Sequence, residues 1–135
     1  MDFCILGGIT VVVRVSLMVL RVAVLGALVL GILFWTDNAT GLQIVHIVLG
    51  FLVVISLWVI GIAQGVQRGG SFGLALATFV VGFLLALVGL FQTRWLIGSS
   101  HWVIQVIHLL LALMAIGLGE MIGGRYRRMT AKEAV

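Results

Sequence analysis

The chain has 135 residues, 63% of which are hydrophobic, and it contains no proline. It carries 8 Lys or Arg and 4 Asp or Glu, for a formal net charge of +4. A composition this apolar excludes an ordinary soluble domain and is typical of an integral membrane protein. The single cysteine, Cys4, excludes an internal disulfide and a paired-cysteine redox motif.

The first apolar run extends from residue 3 to residue 35 and is interrupted only by Arg14 and Arg21. A helix needs about 20 apolar residues to cross a bilayer, so this run is too long for one crossing. We place transmembrane helix 1 at residues 15–35. Residues 1–14 are a lead-in that is either interfacial or part of helix 1. The run lacks the small-residue cleavage site and polar start that follow a signal peptide.

Three more apolar runs of membrane-spanning length follow. The loops TDNATG and GVQRGGS are rich in turn residues and predict the ends of helices 1 and 2. We place helix 2 at 42–64, helix 3 at 72–92 and helix 4 at 101–122. One four-helix transmembrane domain, 15–122, then covers most of the chain, and 123–135 form a polar, basic tail.

Lys and Arg are distributed unequally between the two ends of the predicted bundle. Seven of the eight lie in the N-terminal flank, the second loop and the tail, and only Arg94 lies on the opposite side. The positive-inside rule therefore predicts a plasma-membrane protein with both termini in the cytoplasm. Positive charge is also common in nucleic-acid-binding proteins, but its position at the membrane edges favours a topology signal. We expect no nucleic-acid partner.

Two segments repeat a polar pair inside apolar sequence, QIVHIVLG at 43–50 and QVIHLLLA at 105–112, 62 residues further along. A weaker similarity links ILFWT at 32–36 with GLFQT at 89–93. The repeats predict an all-α, integral membrane, four-transmembrane-helix bundle built from a duplicated helical hairpin. Because two crossings separate the copies, helices 2 and 4 run in the same direction.

His46 and His108 lie near the starts of helices 2 and 4. At a rise of 1.5 Å per residue, both lie roughly 8–11 Å below the outer boundary. Ionisable side chains at this depth are costly and mark a functional site. In a square bundle the diagonal between these helices is about 13 Å, too wide for two imidazoles to share one zinc ion. The geometry favours a haem with both histidines as axial metal ligands.

Small and amide side chains accompany the two histidines. Gly50 and Ala112 lie one turn below them and either make room for a macrocycle or mediate close helix packing. Gln43 and Gln105 lie three residues before the histidines on the same faces. Each can hydrogen-bond a haem propionate, a backbone carbonyl or a substrate, or form an ordinary interhelical contact. Further small residues at similar depth are Ala27, Gly31, Ala86 and Gly89.

His101 lies one heptad before His108, near the outer boundary. Together with Arg94 it either lies beside the haem propionates or is an ordinary membrane-edge residue. Three tryptophans near the same boundary are most simply an aromatic belt. At the opposite end of helix 4, Glu120 has Arg14 and Arg125 as its expected ion-pair partners.

The two Q-x-x-H segments and the four-helix layout resemble one half of a haem A synthase. That family consists of two four-helix halves, each with histidines on its second and fourth helices that face each other across a haem. The resemblance covers all four helices and implies that His46 and His108 ligate one haem b. The family's catalytic half has a glutamate where this chain has Gln43, so the chain is more similar to the half that holds a b-type haem. Other four-helix membrane cytochromes b share the diagonal-histidine plan.

Three functions are compatible with these features. We favour a membrane cytochrome b that transfers electrons through one haem, with a quinone or another redox partner. The second function is a compact haem A synthase-like enzyme, although no catalytic residue is assigned. The third is a haem-free accessory subunit of a respiratory or photosynthetic complex. The short loops predict association with other membrane subunits, so an electron-transfer protein or subunit is favoured over a stand-alone enzyme.

Overall fold

The computed structural model describes residues 2–67 and 69–133, and this part of the chain folds into four long helices with short connections. It confirms the predicted all-helical fold. Four segments of the described residues are long and apolar enough to span a membrane, of 29, 24, 23 and 29 residues in chain order, and the third includes the 3₁₀ helix that follows the third long helix. Arg68, part of the predicted topology signal, lies outside the described residues. The helices are α1 (Asp2–Trp35), α2 (Gln43–Val66), α3 (Phe72–Phe91) and α4 (His101–Glu133).

The first and last helices are longer than the sequence predicted. α1 begins at Asp2, so residues 2–14 continue helix 1 without a break. α4 continues past residue 122 to Glu133. Its last eleven residues are polar but lack proline and include the good helix formers Arg, Lys, Met, Ala and Glu. Tyr126 in this extension is only 3% exposed, so the extension is part of the packed bundle.

The connections form tight turns, and two of them include a short 3₁₀ helix. Thr40–Leu42 precedes α2, and Gln92–Arg94 follows α3. The turn after α1 requires a positive φ at Asp37 and Ala39. The start of α3 is fixed by Ser71, whose hydroxyl accepts a hydrogen bond from the Leu74 N–H at 3.4 Å.

Each helix packs against its neighbours along the chain, and α1 also packs against α4. Short connections make consecutive helices antiparallel, so the bundle has two distinct ends. We call the end with residues 31–46 and 89–108 the histidine end. The end with residues 9–21, 57–67, 69–70 and 116–129 is the arginine end. α2 and α4 also contact each other directly. The square cross-section assumed for the predicted 13 Å diagonal is therefore wrong, because the bundle is compressed along this diagonal.

The arginine end is densely packed. Leu20, Leu57, Ile60 and Ile122 are each 0% exposed. Lipid tails are as apolar as these side chains, so in a bilayer close packing, not the hydrophobic effect, holds helices together. Glycines permit that packing: a Cβ on Gly123 would lie 2.6 Å from Cδ2 of Leu17.

A bidentate ion pair joins α1 to α4 at the same end. Nε of Arg21 donates to Oε1 of Glu120 at 2.5 Å, and Nη2 donates to Oε2 at 2.8 Å. The expected pairing of Glu120 with Arg14 or Arg125 is therefore wrong. α1 runs antiparallel to α4, and this places Arg21 at the level of Glu120. Both side chains are more than one third exposed, so the pair lies on the outside of the bundle.

Candidate functional site

The histidine end contains a cavity of about 410 Å³ lined by all four helices. Its size lies within the roughly 300–1,000 Å³ of pockets that bind small molecules and cofactors. The walls are predominantly aliphatic and aromatic. The polar side chains in its lining include His46, His101, His108, Gln43, Gln92, Thr93 and Gln105.

The rings of His46 and His108 lie next to each other in this cavity, with their centroids 6.2 Å apart and their planes inclined by 47°. A metal–imidazole nitrogen bond is about 2 Å long, so two rings bound on opposite sides of one metal atom have centroids about 6 Å apart. The observed centroid spacing matches that value. The separation of about 13 Å that was expected to keep these two histidines from sharing one zinc ion is wrong, since α2 and α4 approach each other across the bundle.

Each of the two imidazole rings packs against a glycine on a neighbouring helix. Gly31 on α1 lies against His46, and a Cβ there would be 3.7 Å from the ring's Cε1. Gly89 on α3 lies against His108, and a Cβ there would be 2.9 Å from Cε1, closer than side chains normally approach. Phe34 adds an edge contact to His46, with ring centroids 5.4 Å apart. Each histidine is thus oriented by the helix that precedes it in the chain.

Nδ1 of each of these histidines is buried and has no hydrogen-bond partner among the described residues. A buried polar atom without a partner costs free energy, so native structures satisfy nearly all of them. An imidazole nitrogen can bind a metal, donate its N–H or accept a hydrogen bond. Two such nitrogens on neighbouring rings make His46 and His108 the candidate ligand-binding residues of this cavity.

Gly50 and Ala112 both line the cavity, as the macrocycle interpretation requires. A Cβ on Gly50 would meet no atom within 4 Å among the described residues, so this glycine faces open space. Close helix packing, the alternative interpretation, is therefore not what Gly50 provides. The predicted small residues Ala27 and Ala86 line the same cavity.

Gln43, Gln105 and His101 line the cavity near its mouth. Nδ1 of His101 lies 3.4 Å from the carbonyl oxygen of Trp95, so the third connection holds this ring. Arg94 is exposed and is not part of the lining. Its predicted position beside a haem propionate stays a prediction.

Gln92 and Thr93 also line the cavity and are not among the predicted site residues. Both belong to the GLFQT segment, which is a weak repeat of ILFWT. Polar residues that end an otherwise apolar helix at the level of the histidines are the signal that could have identified them.

Within residues 2–67 and 69–133, no group of three or more His, Cys, Asp or Glu side chains could hold a metal ion. Two histidines alone provide half of the four ligands that a structural zinc ion takes. A porphyrin supplies four nitrogens itself, so two axial imidazoles complete the coordination of its iron. The donor set and the small residues beside it fit a haem better than a bare metal ion.

Comparisons of the chain with models of protein families, with curated proteins and with solved structures gave no match. The resemblance to one half of a haem A synthase therefore depends on the paired histidines and the four-helix layout alone.

Proposed function

We propose that this protein is an integral membrane cytochrome b that binds one haem between His46 and His108 and transfers electrons. The observation that carries the proposal is the 6.2 Å separation of the two imidazole rings inside a cavity lined by all four helices. No other pair of histidines in the chain repeats with its flanking sequence.

The chain's own residues have distinct tasks in this proposal. His46 and His108 bind the iron, and Gly31 and Gly89 leave room for the two rings in that orientation. The aliphatic walls exclude water from the site. The amides of Gln43 and Gln105 can donate hydrogen bonds to carboxylates at the cavity mouth. A haem held there would supply one-electron chemistry through the ferric and ferrous states of its iron.

Electron transfer is favoured over modification of the haem. The polar side chains of the described cavity lining are histidines, amides and a hydroxyl, with no carboxylate among them. Gln43 stands where the resembling catalytic half has a glutamate, and an amide cannot exchange a proton as a carboxylic acid does. A site that needs only to hold a redox centre does not require that proton exchange.

In this proposal the protein spans the plasma membrane, with both termini on the cytoplasmic side and the haem near the outer surface. Four helices of spanning length support the insertion. The position of seven of the eight basic residues towards one side supports the orientation. The repeated Q-x-x-H segments at the starts of α2 and α4 support an origin by duplication of a helical hairpin.

The proposal is tested by visible absorption spectra of the purified, detergent-solubilised protein in its oxidised and reduced forms. We expect sharp reduced α and Soret bands in the wild type, their loss in His46→Ala and in His108→Ala, and their retention in His101→Ala. A colourless wild-type protein, after expression with an adequate haem supply, would contradict the proposal. That result would leave the haem-free accessory subunit as the function.

A further inference from the structure

A second pocket, of about 280 Å³, lies at the arginine end, between the end of α2, the turn that follows it and the last turns of α4. It is separate from the haem cavity, and no residue lines both. Its described lining consists of Gln64, Gln67, Gly69, Gly70, Arg125, Arg128 and Met129.

Gln64 is the buried polar residue in the lining of this pocket. Its side chain is 2% exposed, and its Oε1 has no hydrogen-bond partner among the described residues. A buried amide oxygen without a donor is costly, and most native amides avoid it. The neighbouring Gln67 does not relieve it, because Nε2 of Gln67 lies 3.1 Å from the sulfur of Met129.

The backbone of the turn after α2 packs closely against Gln64. The N–H of Gly70 donates to the carbonyl oxygen of Gln67 at 2.8 Å, and Gly69 has a φ of 75°. A Cβ on Gly70 would collide with the backbone of Gln64. The backbone thus closes one side of the pocket and keeps Gln64 at its base.

Two guanidinium groups line the opposite side. Arg125 and Arg128 are three residues apart on α4, a spacing that puts both side chains on one helix face. Both are exposed, and neither takes part in the ion pair of the described residues, which joins Arg21 to Glu120. Guanidinium groups match the geometry of phosphate oxygens and bind them with two parallel hydrogen bonds.

We propose that this pocket binds a phosphate ester at the membrane edge. Arg125 and Arg128 bind the phosphate, and Oε1 of Gln64 accepts a hydrogen bond from a hydroxyl or ammonium of the esterified alcohol. This site is independent of the haem and goes beyond the proposed electron transfer. Anionic lipid headgroups and soluble phosphate esters share this chemistry. Basic pockets between helices at the cytoplasmic face are a known place for the former.

The test is native mass spectrometry of the purified, full-length protein in detergent, titrated with phosphatidylglycerol, phosphatidylcholine or glycerol 1-phosphate. The variants are Arg125→Gln, Arg128→Gln and Gln64→Leu. Arg14→Gln is the matched control, because it removes one exposed charge from the same end of the bundle without touching the pocket. Circular dichroism and gel filtration verify that each variant is folded.

We expect phosphatidylglycerol to bind more tightly than phosphatidylcholine, with a loss of about fivefold for each arginine removed. Gln64→Leu should weaken phosphatidylglycerol binding, and Arg14→Gln should leave it unchanged. If glycerol 1-phosphate binds with the same dependence on these residues and displaces the lipid, the ligand is a soluble ester. An equal loss in Arg14→Gln and Arg125→Gln would overturn the proposal, since general surface charge would then explain the binding. Binding of phosphatidylglycerol and glycerol 1-phosphate no tighter than that of phosphatidylcholine would overturn it as well.

Discussion

The two ends of the bundle consist of the same four helices, yet they pack in opposite ways. At the arginine end, Leu17 and Leu20 of α1 press against glycines of α4. At the histidine end, Gly50 has no described neighbour within 4 Å of its missing side chain. Glycine therefore serves two purposes in this protein. It brings helices together at one end and leaves space between them at the other.

Because of this difference, the packing that stabilises the bundle and the cavity that can bind a ligand lie at opposite ends. Atoms that line a void lose the dispersion contacts that packed atoms make, so the cavity weakens the bundle unless a ligand fills it. The fully buried side chains Leu20, Leu57, Ile60 and Ile122 make such contacts at the arginine end. Substitutions at the two ends should consequently affect different properties.

The largest effect is expected from filling the cavity. Gly50→Leu should abolish nearly all haem binding and, because it fills empty space, should raise the thermal stability of the haem-free protein. The control is Gly117→Leu on α4. A Cβ on Gly117 would also meet no described atom within 4 Å, but Gly117 does not line the cavity. It should keep the wild-type haem content. Haem-to-protein ratios from absorption spectra, together with thermal melts, check both outcomes; equal haem loss in the two variants would contradict the account.

The next largest effect is expected at the arginine end. Ile60 is 0% exposed, so Ile60→Ala should lower the free energy of unfolding by about 2–5 kcal/mol through lost contacts and a new void. The haem bands of the folded protein should not change in position. Ile62, two residues further on, is 53% exposed, and Ile62→Ala should change stability by at most about 0.5 kcal/mol. Unfolding in mixed detergent measures the difference; similar losses for both variants would show that the inner packing is not what stabilises this end.

A smaller effect is expected where each histidine ring meets its glycine. In Gly89→Ala the new methyl group would lie 2.9 Å from Cε1 of His108, and the crowding should cost haem binding about 1–3 kcal/mol. In Gly31→Ala the corresponding distance to His46 is 3.7 Å, an ordinary contact, so haem affinity should stay near the wild-type value. Haem titration of the two purified apoproteins makes the comparison. A greater loss in Gly31→Ala would contradict the ring positions.

The smallest effect is expected at the cavity mouth. Gln43→Leu and Gln105→Leu should each weaken haem binding by about 0.6 kcal/mol, the average for a polar contact between membrane helices. Neither substitution should alter the position of the absorption bands, because neither side chain binds the iron. A complete loss of haem in either variant would assign the glutamines a larger role than a hydrogen bond at the mouth.

Much of this arrangement could be predicted from the sequence, for physical reasons. Polar residues inside apolar runs are conspicuous, so His46, His108, Gln43 and Gln105 could all be identified before their positions were known. Their depth also followed from the helical rise. The structure then placed all four in one cavity.

The remaining features depend on the distances between helices and on which side chains meet, and the hydropathy pattern of a sequence does not predict either. The contact of α2 with α4 makes the diagonal shorter than the roughly 13 Å expected from a square bundle, and that diagonal was the reason for excluding a shared zinc ion. The pairing of Glu120 with Arg21 depends on how far α1 extends along α4. Gln64 is ordinary in the sequence, and only its burial without a partner distinguishes it.

The most direct test of the central claim is the electron paramagnetic resonance spectrum of the oxidised protein, since spin state reports whether both axial positions of a ferric haem carry strong ligands. The account predicts one low-spin ferric species in the wild type, with no high-spin signal. A high-spin ferric haem in the wild type would mean that His46 and His108 do not bind the same iron.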